Sequence, residues 1–337
     1  MASVRKSAAR RPTRRTVNRE ARRRIRRAPR GAAPASLRVT ERSAGRGALI
    51  PSRRFPYSAI VDRPPMRLPH GARIAVWTIV NVEEWDINGP LPRTVLPHPS
   101  GTASIPDVTN YGWYEYGLRI GFWRLIEVLD RYGIRATMAL NGSVCTSFPR
   151  VVEAALDSQW ELMGHGYVQR PLPLEKDERA SIRRTIVSLR EASGVPPRGW
   201  LSPGLAETPR TLDLLAREGI EYVADWTNDD QPYEMRAAGG RTLVSVPYSL
   251  EINDIPMFLI QHHQSEELFR RSKDQFDTLY EEGARSARIM AIAVHPYISG
   301  ASHRIRQFGR IYEYLKTRQG VLFWTGAEIC DWFKHGR

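Results

Sequence analysis

From Arg73 onward, short apolar runs alternate with longer stretches of helical period, and this alternation constrains the fold more than any other feature. The runs are residues 72–80 (ARIAVWTIV), 134–140 (IRATMAL), 160–164 (WELMG), 220–224 (IEYVA) and 288–294 (RIMAIAV). Helix-like stretches fill 115–131, 149–157, 175–192, 208–217, 265–284 and 303–317. Pro149 and the acidic opening Glu175–Asp177 read as helix starts. Gly133, Gly194 and Gly219 stand where C-terminal caps belong. Strand–helix alternation at this spacing implies parallel strands joined by helical crossovers. A region of about 280 residues is the size of one α/β barrel, and neither a repeat nor a second domain boundary interrupts it.

The polar residues cluster where these runs end. The first runs into Asn81-Val82-Glu83-Glu84-Trp85-Asp86, the third into His165-Gly166-Tyr167-Val168-Gln169, and the fourth into Asp225-Trp226-Thr227-Asn228-Asp229-Asp230. The last runs into His295-Pro296-Tyr297. Singly, each burst has a plain structural reading: a neighbour of a helix cap, a turn, a hydrogen-bonding histidine. In a parallel barrel, however, the C-terminal strand ends share one face, so four bursts converge on one pocket.

Charge divides the chain in two. Of 50 Lys and Arg and 36 Asp and Glu, 18 basic residues and only Glu20 and Glu41 lie in residues 1–54. The other 283 residues hold 32 basic and 34 acidic side chains, so the body is nearly neutral and does not read as a nucleic-acid-binding domain. The Arg-rich, aromatic-poor segment 1–54 is expected to be disordered. It reads as an over-long start, an organelle leader or a phosphate-binding arm; the first is favoured, and nucleic-acid contact by the tail is not expected. Two cysteines, Cys145 and Cys330, exclude a disulfide framework. No 18-residue apolar run marks a membrane span, and no apolar h-region marks a secretory signal. A cytoplasmic protein is therefore expected, with a homo-oligomer left open.

The ordered motifs NVEEW (81–85), GHGYVQ (164–169), PRGWLSPG (197–204), DWTNDDQPY (225–233) and AVHPY (293–297) resemble those of the polysaccharide deacetylase superfamily. With PYSLEINDI (247–255), the set is similar to its allantoinase-like and cyclic-imidase-like branch. The resemblance covers roughly residues 55–335. It implies an α/β fold, a distorted, incomplete (β/α) barrel, with a catalytic domain over 55–337.

It also implies roles. Glu83 and Glu84 stand where the family has two Asp, the first a general base toward water and the second a metal ligand; Asp86 is a substitute for either. His165 matches the first histidine of the family's zinc motif, but Gln169 replaces the second. A carboxamide is a poor ligand for zinc, so one weakly held divalent metal on Glu84 and His165, or none, is expected. His262 or His263 is a replacement ligand. His295 matches the late histidine that protonates the leaving nitrogen, and Asp225 the acid that tunes it. Trp200, Asn228, Asp229, Asn253 and Asp254 are expected to bind substrate, and Trp85, Tyr111, Trp113, Tyr233 and Tyr248 to wall the pocket. The implied activity is hydrolysis of a small amide, cyclic imide or ureide. Its rivals are a metal-dependent N-deacetylase of acetylated amino sugars and a non-catalytic binding protein.

Overall fold

A computed structural model describes residues 51–98, 101 and 104–336. The expectation for the basic tail therefore falls outside the described residues up to Ile50. Residues 51–54 differ from it: they form one helical turn, and Arg54 Nη1 pairs with Asp213 at 2.5 Å. Leu49–Arg337 forms one compact unit.

The strands are β1 (Ile74–Val82), β2 (Thr137–Leu140), β3 (Glu161–Gly164), β4 (Gly199–Trp200), β5 (Tyr222–Val223), β6 (Tyr233–Arg236), β7 (Thr242–Ser245), β8 (Arg288–Val294) and β9 (Val321–Phe323). The longer helices are α1 (Val108–Tyr116), α2 (Phe122–Arg131), α3 (Pro149–Asp157), α4 (Glu178–Ser193), α5 (Thr211–Arg217), α6 (Glu266–Gly283), α7 (Ile305–Leu315) and α8 (Gly326–His335). The sheet runs β6-β7-β5-β4-β3-β2-β1-β8, with β9 on the lower half of β1. All pairs are parallel except the β6–β7 hairpin. Between β7 and β8 a single bridge, Asn253 to Ala293, stands in for a strand. The result is the distorted, incomplete (β/α) barrel. Among the described residues, no helix is long and apolar enough to cross a membrane.

β1 is buried along its whole length because both of its faces are covered, and its side chains alternate between two cores. Ala75, Trp77 and Ile79 point into the barrel, beside Ala139, Met163, Leu201, Ala291 and Ala293. Ile74, Val76, Val80 and Val82 pack outward beneath the helices, with Phe122, Leu125 and Phe308. This parity runs on past the strand ends and decides which polar residues meet.

The N-terminal end of the barrel is closed by a buried polar network. Glu161 accepts from Tyr222 Oη at 2.7 Å, Thr137 Oγ1 at 2.8 Å and the Ala327 amide at 3.0 Å. Thr137 Oγ1 in turn accepts from Trp77 Nε1 at 2.8 Å and the Gly326 amide at 3.0 Å. The start of α8, held by a Thr325–Glu328 capping box, is thus tied to the sheet. Tyr222 is wedged between two glycines: a Cβ on Gly199 would lie 2.0 Å from Tyr222 Cζ, and one on Gly326 would lie 2.3 Å from its Oη. Gly199→Ala should therefore lower stability by about 1–3 kcal/mol through overpacking. Chemical denaturation measures this; an unchanged midpoint would show that Tyr222 yields freely.

Candidate active site

Parity assembles the cluster at the opposite end. Glu83 continues the inward series of β1, His165 follows inward Met163 on β3, Asn141 follows Ala139 on β2, and His295 follows Ala293 on β8. Glu83 Oε1 lies 3.5 Å from His165 Nε2 and 3.5 Å from His295 Nε2. Gln169 Nε2 donates to the same oxygen at 2.7 Å, and Tyr297 Oη donates to Oε2 at 3.4 Å. Asn141 Nδ2 donates to the His165 carbonyl and to Gln169 Oε1, while its Oδ1 accepts from the Glu84 amide. The cluster is enclosed: the side chains of Glu83, His165 and His295 are 3%, 3% and 4% exposed.

Both imidazoles are oriented from behind. His165 Nδ1 lies 2.6 Å from the Leu201 carbonyl. A carbonyl only accepts, so Nδ1 carries a proton there, and Nε2, which has no hydrogen-bond partner, faces Glu83. His295 Nδ1 lies 2.6 Å from Asp254 Oδ1. Asp254, fully buried, also accepts from the His295 amide at 2.7 Å and from Ser299 Oγ at 2.6 Å.

Burial pushes the Glu83 carboxyl up, but the charge and polar contact of His295, with His165 close by, outweigh it and bring it down to about 2. Burial pushes His295 down, but Asp254 and Glu83 outweigh it and bring the imidazole up to about 9. At neutral pH the pair stands as carboxylate and imidazolium.

An aromatic wall rises beside the pair. Trp85 packs on Tyr114 with ring centroids 4.9 Å apart, Tyr114 on Tyr297 at 4.8 Å, and Trp113 on Tyr297 at 4.9 Å. Gly117 and Gly121, in the wide helical turn between α1 and α2, let this segment approach the loop after β8. A Cβ on Gly121 would meet the Pro296 carbonyl at 2.0 Å.

Several expectations are corrected. The carboxylate on His295 is Asp254, not Asp225. Asp225 Oδ1 and Oδ2 accept from the Ser202 amide and hydroxyl at 2.6 and 2.7 Å. Burial, and then the Asp225 charge, push its neighbour Glu207 up to about 10. Trp200 is fully buried against Gly164 on the outer side of the sheet and cannot touch substrate. Asn253 is consumed by the fold, donating to Tyr248 Oη and capping the Ile255 amide. Asn228 accepts from Tyr233 Oη, and Asp229 pairs with Arg63 at 2.6 Å. Both line a separate cavity of about 790 Å³, whose lining includes neither Glu83 nor either histidine.

Glu84, one residue past Glu83, makes no ion pair with His165 among the described residues, where His165 lies against Glu83 instead, and the buried Glu84 Oε2 has no partner. Asp86 is exposed in a turn, accepting from the Asn88 amide. His262 and His263 are exposed, and His263 bonds Arg271 and Gln261. A divalent ion needs three or more lone-pair donors aimed at one point. Among the described residues no three His, Cys, Asp or Glu side chains are grouped to hold one, and beside Glu83 the fourth side chain is Gln169, an N–H donor. The residues present do not fit a resident metal ion.

Comparison with known proteins agrees with this architecture. Residues 111–223 match the polysaccharide deacetylase family model. Over that third of the chain the protein is similar to polysaccharide deacetylase domains. Such domains belong to hydrolases of carbon–nitrogen bonds other than peptide bonds. The chain is 25% identical over 293 residues to a Schizosaccharomyces pombe protein with a polysaccharide deacetylase name, covering 78% of this chain and 91% of that one. The crystal structure of Puue allantoinase aligns with TM-score 0.72 and 26% identity, covering 81% of this chain and 94% of that chain. A Pseudomonas aeruginosa structure described as a probable polysaccharide deacetylase aligns with TM-score 0.73 and 26% identity, covering 81% and 95%.

Proposed function

We propose that this protein hydrolyses the C–N bond of a small amide, cyclic imide or ureide, with Glu83 as base and His295 as acid. The observation that carries the proposal is the buried line Asp254–His295–Glu83, closed on its far side by His165 Nε2. Glu83 is ionised, so a water hydrogen-bonded to its carboxylate loses its proton to Glu83 as its oxygen adds to the substrate carbonyl carbon. As the C–N bond breaks, the nitrogen takes the Nε2 proton of His295, which an amide leaving group requires. Asp254 holds the charge on the imidazolium until then. Transfer of the proton from Glu83 to His295 restores the starting state. The enclosure of all three side chains supports a small substrate over an acetylated sugar polymer, which needs an open groove.

The two carboxyl and imidazole values predict the pH dependence. Activity requires Glu83 ionised and His295 protonated. It is therefore lost as pH falls through about 2 and as pH rises through about 9, with a flat region between. Initial rates of hydrolysis of a cyclic imide or ureide between pH 4 and 10 test the function, the flat region and the His295 limb. A titration near pH 6–7 would mean that another group carries the proton.

A further inference from the structure

One peptide group joins two buried side chains on the His165 side of the cluster. β4 ends at Trp200, and along a strand each peptide unit points its C=O toward one neighbour and its N–H toward the other. Just past β4, side chains take those ladder places. The Leu201 carbonyl accepts from His165 Nδ1, which follows β3, at 2.6 Å. The Ser202 amide, the other half of the same planar unit, donates to Asp225 Oδ1, which follows β5, at 2.6 Å. Ser202 Oγ donates to Asp225 Oδ2 at 2.7 Å. His165, Leu201, Ser202 and Asp225 are all buried. Burial pushes Asp225 up, and the Ser202 hydroxyl and Glu207 act against it. Glu207, pushed up to about 10, keeps the proton of the two carboxyls, so the charge rests on Asp225.

The His165 ring has two acceptors in reach. Leu201 O stands 2.6 Å from Nδ1, and Glu83 Oε1 stands 3.5 Å from Nε2. A carboxylate is ordinarily the stronger acceptor, yet the short bond goes to the carbonyl. Hydrogen bonds in a chain polarise one another. A peptide group whose N–H is held by a carboxylate therefore carries more negative charge on its oxygen.

We infer that Asp225 is a positioning residue for His165, acting through the Leu201–Ser202 peptide group to keep the ring proton on Nδ1 and the Nε2 lone pair open beside Glu83. The link stands on the geometry. Its effect on rate rests on the hydrolase reading above, with that lone pair receiving the second hydrogen of the attacking water. Asp225→Asn is the discriminating change. Its amide oxygen still accepts from the Ser202 N–H, and only the charge is lost.

The test is heteronuclear NMR of the full-length protein labelled at the histidine nitrogens, with the His165 signals assigned by their loss in His165→Asn. In the unmodified protein the proton should sit on Nδ1, slow to exchange and far downfield, with Nε2 bare. Asp225→Asn should move that resonance upfield and raise the fraction protonated on Nε2 by about three- to tenfold, the size expected of polarisation along a short chain of bonds. Glu207→Gln keeps a neutral donor beside Asp225 and should leave the spectrum as it was. A proton on Nε2 in the unmodified protein overturns the inference without any variant having to fold, and so does an unchanged spectrum in Asp225→Asn. Rates on hydantoin or succinimide supply a second reading. Asp225→Asn should lower kcat by about three- to tenfold at constant KM, and the loss should vanish in the His165→Asn background. A loss that persists there is a structural one and overturns the positioning role. The Asp225-dependent Nδ1 signal without turnover of either ring sinks the hydrolase reading and leaves the link standing.

Discussion

Glu83→Gln should lower turnover by roughly 10²–10⁴ with little change in KM, because it keeps the side-chain shape and removes the proton acceptor. The neighbourhood sharpens this expectation. Gln169 Nε2 donates to Glu83 Oε1 at 2.7 Å, and a carboxamide can still accept there, so the cluster should stay assembled. The His295 imidazolium, however, loses the second of its two anionic partners. The variant should therefore lose both the base and part of the charge that keeps the acid protonated. Its alkaline limb should move below about 9. Steady-state rates across pH on a cyclic imide or ureide measure both effects. Full activity in Glu83→Gln would remove Glu83 from the chemistry and turn attention to Glu84, the other acid of the motif, with its unpartnered Oε2.

The second large effect belongs to Asp254. Asp254→Asn preserves size but removes the charge that follows burial as the strongest influence on His295. Folded-state His295 is raised above its ordinary value, so its protonated form is favoured below about 9 and lost above it. Without Asp254 that limit should fall toward the ordinary histidine value of about 6.5, and activity at pH 8 should drop by about 10² or more. The amide also presents its N–H where a carboxylate accepted, which disturbs the ring's orientation, a known route to large losses in hydrolases with an oriented histidine. His295→Asn should abolish the alkaline limb altogether, and a second substitution at Glu83 should add much less than its own single effect. If Asp254→Asn left the alkaline limb in place while Asp225→Asn moved it, the family-based assignment of Asp225 would stand after all.

Much of the barrel was legible because its strands are buried on both faces. β8 is the uninterrupted apolar run 288–294 as read, and α3 spans 149–157 behind Pro149 as read. β4 and β5, two residues each, and the β6–β7 hairpin were not separable. Such short pieces are held by pairing with neighbours, which no local period records. Glu83, His165 and His295 were visible as polar bursts at strand ends. A signal that went unused would have sorted the rest: side chains two residues apart share a face. Counting in twos from Trp77 reaches Glu83 and passes over Glu84, and the same count puts Trp200 opposite its inward neighbour Leu201.

By itself, then, the sequence determined the alternation of strand and helix and the rim that holds the polar residues, with Glu83, His165 and His295 among the candidates on it. These follow from periodicity and burial, which are local and additive along a chain. Only the tertiary structure decided that Asp254 rather than Asp225 holds His295 and that Gln169 is bound to Glu83. Each is a contact between residues far apart in the chain, 41 positions in one case and 86 in the other. Such contacts depend on how loops cross the barrel mouth, and a loop's path is set by what it packs against rather than by its own residues.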